Sequence, residues 1–213
     1  MRESLSYPYS WTILARLVSY LFHPLLVGVY MAAYMIFINP VYYNYVDPRE
    51  KILSLATVFN NNFVFPVVVV LLLKGLGFIK SIYLDTAKER IVPYMASIIF
   101  FFWTWYVFYN KPEAPQTMKD MLQGIFYASI LAMIANIYFK ISMHAIGMGG
   151  LIGMMLMILF EGKMLSPLPF MVSILFAGMV MTSRLIASDH KKGDIVAGFV
   201  VGLFSQLLAA TIL

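Results

Sequence analysis

Cysteine is absent from the chain and charge is scarce. Of 213 residues, 12% are Asp, Glu, Lys or Arg, against roughly 25% in a soluble domain. Without cysteine there is no disulfide and no thiolate metal site. A mean hydropathy of +0.83 and 62% hydrophobic residues exclude an ordinary soluble fold and define a polytopic membrane protein. The formal charge of +5 is modest and matches loop cations facing anionic headgroups, so no nucleic-acid partner is expected. No internal repeat or low-complexity stretch stands out. Residues 1–10, with Glu3, Pro8 and two Tyr, do not read as a signal peptide.

What is present is apolar sequence in long runs. A helix needs about 20 apolar residues to cross a bilayer. Spans are expected at roughly 11–38, 52–73, 91–109, 120–139, 145–160, 170–182 and 195–213 in one membrane domain. The first run is too long for one crossing and is interrupted by His23-Pro24. It reads as an interfacial helix followed by a span, or as one kinked helix. Asn60-Asn61-Asn62 falls inside the second run and is expected to make interhelical hydrogen bonds rather than to face lipid. Gly147, Gly149, Gly150 and Gly153 would let the fifth span pack closely on a neighbour. His23 reads as structural.

Three polar breaks, at 85–94, 140–144 and 183–194, each follow an even-numbered span. Parity therefore puts them on one membrane face, where they could form one site. The densest is 183–194, which holds Arg184, Asp189, His190 and Asp194 between two apolar runs. Ionisable groups so close to lipid point to function by default. His190 and Asp194 are four apart, and so share a face if helix covers them. A carboxylate beside an imidazole fixes its tautomer. Arg184 offers a planar, permanently charged fork suited to phosphate oxygens. Lys191 and Lys192 read as membrane-flanking cations, and Asp189 as a solvated loop or cap residue.

Ser183-Arg184 followed by His190 and Asp194 fits Ser-Arg-x5-His-x3-Asp. It resembles the third signature of the type 2 phosphatidic acid phosphatase (PAP2) superfamily, and Ile195-Val-Ala-Gly198 resembles the start of that family's last helix. Ile141-Ser142-Met143-His144 is similar to the family's Pro-Ser-Gly-His signature, with Ser and His kept and Pro and Gly replaced. The remaining signature, Lys-x6-Arg-Pro, is met only by Arg90. Pro93 follows it at three residues rather than one, and Tyr83 stands where the Lys would be. Lys88 or Lys140 could substitute for that lysine. The resemblance covers about the C-terminal two-thirds of the chain.

The resemblance implies an all-α integral membrane protein, with a six-helix PAP2-like transmembrane core plus an additional N-terminal helix. It implies a phosphatase, independent of metal and cofactor, acting on a lipid phosphate or diphosphate. Candidate substrates are phosphatidic acid, phosphatidylglycerol phosphate, an isoprenoid diphosphate and a lipid A phosphate. By analogy His190 is the nucleophile that forms a phosphohistidine, Asp194 orients it, and His144 protonates the leaving oxygen. Arg184, Ser142, Arg90 and Lys140 or Lys88 would hold the phosphoryl oxygens. The expected location is the cytoplasmic membrane with the site facing the periplasm or exterior. Flanking cations are balanced between the two faces once site residues are set aside. The alternatives are a lipid phosphotransferase of the same fold and a non-catalytic transporter or binder of lipid phosphates, toward which the altered second signature leans. Paired histidines argue for chemistry, because binding alone requires only cations.

Overall fold

A computed structural model describes residues 8–82, 84, 86–187 and 190–212. Asp85, Tyr83 and Asp189 lie outside the described residues. Helix α1 (Tyr9–Leu21) leads to α2 (Pro24–Ala33), which continues through a π-helical stretch, Tyr34–Ile38. A short α3 (Pro40–Tyr43) follows. Helix α4 (Pro48–Phe59) runs through a second π-helical stretch, Asn60–Val64, into α5 (Phe65–Gly75). Then come α6 (Ala87–Tyr109), α7 (Gln116–Tyr138), α8 (Met143–Phe160), α9 (Leu168–Ala187) and α10 (Lys192–Ile212). Strand is absent among the described residues.

Three of these helices start with the same local chemistry. His23, Asn39 and Asp47 each precede a proline, and each side chain accepts a backbone N–H of the first turn. Proline suits the first helical position because its missing N–H would be unpaired there anyway. The same ring cannot continue a preceding helix, so α1 ends at Leu21 and the chain bends by 55° into α2. Thr86 and Glu89 form a reciprocal capping box that starts α6. Such a cap is worth about 1 kcal/mol.

Among the described residues, six helices are long and apolar enough to cross a membrane, and the bent α1–α2 pair makes up to seven. Large apolar side chains cover the outer faces, among them Leu72, Ile99, Trp103 and Leu175. An exposed apolar surface on this scale suits lipid rather than water. Several helices extend further than the apolar runs indicate. The second span begins at Pro48 and α6 at Ala87, while α9 continues to Ala187. Arg90, Ser183, Arg184 and Asp194 are therefore held on terminal helical turns rather than in loops. Glu89 belongs to the cap of α6.

Helix α8 is central and packs on α10, α9, α2 and α7. Its glycines set the closest approach. A Cβ on Gly149 would overlap the Phe199 carbonyl of α10, and one on Gly202 would overlap the Ile146 carbonyl of α8. The two backbones are in direct contact there, which small residues permit in membrane helix pairs. Helix α1 packs on α9.

Candidate phosphate site

The starts of α8 and α10 are fastened together. The Ser142 N–H donates to the Asp194 carbonyl at 3.2 Å. A Cβ on Gly198 would lie 2.6 Å from the Ser142 carbonyl, so only glycine admits this approach. Ser142 itself has no exposed surface, and its hydroxyl accepts from the Ala145 N–H at 3.4 Å as the cap of α8. The phosphate-binding role expected for Ser142 is thus joined by, and in this conformation occupied by, a structural one.

Within the 183–194 break itself, the Asp194 carboxylate meets His190. His190 precedes α10 and Asp194 lies in its first turn. His190 Nδ1 stands 3.5 Å from Asp194 Oδ2, an ion-pair distance somewhat longer than an ordinary hydrogen bond. The same carboxylate oxygen accepts the Lys191 N–H at 2.9 Å, which fixes its orientation. A carboxylate only accepts, so Nδ1 carries the hydrogen in the tautomer that pairs with it. Nε2 then keeps its lone pair. Burial lowers the His190 pKa from its ordinary 6.5, and the nearby cations Lys140 and Arg184 lower it further, against the opposing pull of Asp194. Burial and these cations thus favour the neutral imidazole.

Arg184 sits in the last turn of α9 and acts electrostatically on all three histidines of the chain, His23, His144 and His190. Its Nη1 donates to the Ser19 hydroxyl of α1 at 3.2 Å. The Ser19 hydroxyl also meets that of Ser183 at 3.2 Å, and the Ser19 carbonyl contacts His144 Nε2 at 3.0 Å. A carbonyl can only accept, so His144 Nε2 is protonated and donates. The His144 and His23 rings stand edge to face with centroids 5.9 Å apart.

The third break reaches the same end of the bundle through Tyr94, whose hydroxyl donates to the Met143 sulfur at 2.8 Å. Arg90, one turn before Tyr94, donates through Nε to the Leu84 carbonyl at 2.8 Å and acts electrostatically on Tyr94. It borders the cluster instead of joining the Arg184 group. Lys140 is exposed and close enough for its charge to act on His190. Lys88 is exposed in the first turn of α6. Of the two lysines expected as phosphate ligands, Lys140 is the one whose charge reaches His190.

Sequence reasoning missed Ser19 and gave His23 a purely structural role. Ser19 lies in an apolar helix with no charged neighbour pattern, and nothing in its spacing connects it with Arg184. His23 does cap α2, accepting the Leu25 N–H at 3.3 Å, but its ring also faces the site. The signal available was His23 itself, since the chain holds only three histidines.

No family model matches the chain, nor does any curated protein or solved structure.

Proposed function

We propose that the chain is a membrane-embedded phosphatase of lipid phosphates, acting without metal through a phosphohistidine on His190. The observation that carries this reading is the convergence of Arg184, His144, His190 and Asp194 at one end of the bundle. These groups come from three helix ends separated by long apolar sequence. Phosphoryl transfer asks mainly for positioning and for positive charge around the equatorial oxygens. Arg184 and Lys140 supply that charge. The neutral His190 attacks phosphorus through Nε2, while Asp194 holds Nδ1–H and stabilises the ring as it becomes cationic. The P–O bond to the lipid breaks, and His144 delivers a proton to the departing alkoxide. Water then attacks the phosphohistidine and gives its proton to His144, the P–N bond breaks, and inorganic phosphate leaves with His190 and His144 both restored. A position among apolar helices suits a substrate whose tail stays in the bilayer.

The test is phosphate release by the purified protein from phosphatidic acid, phosphatidylglycerol phosphate, an isoprenoid diphosphate and a lipid A phosphate, with and without chelator. Release that survives chelation and is lost in His190→Ala supports the reading. No release from any of them favours the non-catalytic lipid-phosphate binder.

A further inference from the structure

His23 lies outside the stretch that carries the family resemblance, in the bend between α1 and α2. Three contacts hold this bend. The Tyr30 hydroxyl donates to the Leu21 carbonyl at 2.9 Å, an acceptor that the end of α1 leaves open. The Phe22 ring meets that of Phe176 on α9, with centroids 4.7 Å apart. Pro24 packs on α8, its Cα 3.6 Å from where a Cβ on Gly147 would stand. Gly147 is three residues beyond His144 and so on the same face of α8. The His23 ring is thereby set beside His144, edge to face at 5.9 Å between centroids.

The one hydrogen bond that His23 makes decides which nitrogen is free. Nδ1 accepts the Leu25 N–H at 3.3 Å and so keeps its lone pair. The ring hydrogen is then on Nε2. A second proton, on Nδ1, would break the cap and put another cation within the field of Arg184. His23 thus presents a neutral N–H donor. Among the described residues no hydrogen bond engages it.

Capping alone does not account for a histidine here. The same bond across a proline, to the N–H two residues on, is made by Asn39, Asp47 and Ser166. All three are preferred capping types and histidine is not. What an imidazole adds over an asparagine is its second nitrogen. Two donors on one phosphoryl group stand up to about 8 Å apart, since each bond is about 2.8 Å long. The 5.9 Å between the His23 and His144 rings fits that span, and Arg184 acts electrostatically on both.

Building on the lipid-phosphate reading of the site, we propose that His23 is a third histidine of that site and donates through Nε2 to a non-bridging phosphoryl oxygen. A bond to a charged acceptor is about twice as strong as one between neutral groups. A neutral donor also adds no repulsion to Arg184. The bend before α2 is then a working part of the site, contributed from outside the C-terminal signatures.

Asparagine and glutamine separate the two nitrogens. Asn carries its amide at the level of Nδ1 and keeps the cap, whereas Gln carries it one methylene further out, at the level of Nε2. Three readouts apply to the full chain in detergent: thermal unfolding, binding of orthovanadate as an inorganic mimic of the phosphoryl group, and phosphate release from whichever lipid phosphate of the panel above turns over. In His23→Asn, Tm should stay within about 1 °C. Vanadate affinity and kcat/KM should each fall about 10- to 100-fold, the scale of one bond to a charged group. In His23→Gln the cap is lost and Tm should fall by about 2–4 °C. Binding and kcat/KM should nevertheless be rescued to within about threefold of wild type, less than the loss of such a bond. Unchanged binding and turnover in His23→Asn would leave His23 as a cap and overturn the proposal. Equal losses in both variants would tie activity to the packing of the ring and overturn it too. If the wild-type chain binds vanadate in a His23-dependent way but releases no phosphate, the donor role stands and the phosphatase reading falls. If phosphate is released and His23→Asn is indifferent, the reverse holds.

Discussion

His144 donates through Nε2 to the backbone carbonyl of Ser19, 3.0 Å away and 125 residues distant in sequence. The contact makes the N-terminal helix part of the candidate site, because the hydroxyl of the same serine receives Arg184. One residue of α1 thus contacts both His144 on α8 and Arg184 on α9, the proposed proton donor and the proposed phosphate-binding cation. Ser19→Ala removes the hydroxyl and keeps the carbonyl. Arg184 should lose its bond to Ser19 while His144 keeps its own. The expected result is a rise in KM for the lipid phosphate of about 2- to 10-fold, the value of one hydrogen bond, with a smaller change in kcat. A fall in kcat with KM unchanged would assign Ser19 to His144 instead.

The pH profile should show His190 working as a neutral base. Its pKa is lowered by burial and by the cations Lys140 and Arg184, so the nucleophilic form is lost only as pH falls through a value below the ordinary 6.5. The acid limb of kcat/KM should accordingly lie below pH 6.5. Lys140→Ala removes one of the depressing charges and should move that limb upward. A limb that stays in place would remove Lys140 from the surroundings of His190.

Close packing of α8 on α10 should be as critical as the polar groups. Gly149→Ala puts a methyl into the Phe199 carbonyl and must separate the helices that carry His144 and Asp194. Overpacking of this kind costs about 1–3 kcal/mol, and Tm should fall together with activity. Gly178→Ala, with nothing within 4 Å of the added atom, is the matched control and should change neither. Thermal unfolding in detergent with a parallel phosphate assay separates the two.

Much of this was legible from residue spacing. Parity of the apolar runs put the three polar breaks on one face, and they do meet, through Ser142 with Asp194 and Tyr94 with Met143. The glycines at 149 and 153 announced a close neighbour, and α10 is that neighbour. Asn62 makes the interhelical bond expected of it, to Thr104, whereas Asn61 turns back to its own helix at Thr57. Tertiary partnerships without local periodicity stayed hidden. Ser19 acquires its role only when α1 crosses α9, and the π-helical stretch at Asn60–Val64 has no composition of its own. Ser142, expected to bind phosphate through its resemblance to the family signature, also caps α8, a second role that the signature does not announce.

Removal of metal should leave turnover intact. The groups assembled here, Arg184, Lys140 and two histidines, already offer the charge and the nucleophile that a metal ion would otherwise bring. Phosphate release after exhaustive EDTA treatment should stay within about twofold of the untreated protein, since an essential metal is worth orders of magnitude. Loss of activity restored by Mg²⁺ or Zn²⁺ would replace the covalent scheme with metal-assisted hydrolysis.

The central claim is that His190 itself takes the phosphoryl group. Rapid denaturation in base during turnover of a ³²P-labelled lipid phosphate, followed by peptide mapping, tests it most directly. The account predicts a base-stable, acid-labile label on the peptide containing His190, absent from His190→Ala, whose turnover should fall by at least about a thousandfold as for a lost nucleophile. Turnover with no label at His190, in a variant that keeps more than about a tenth of wild-type activity, would contradict it.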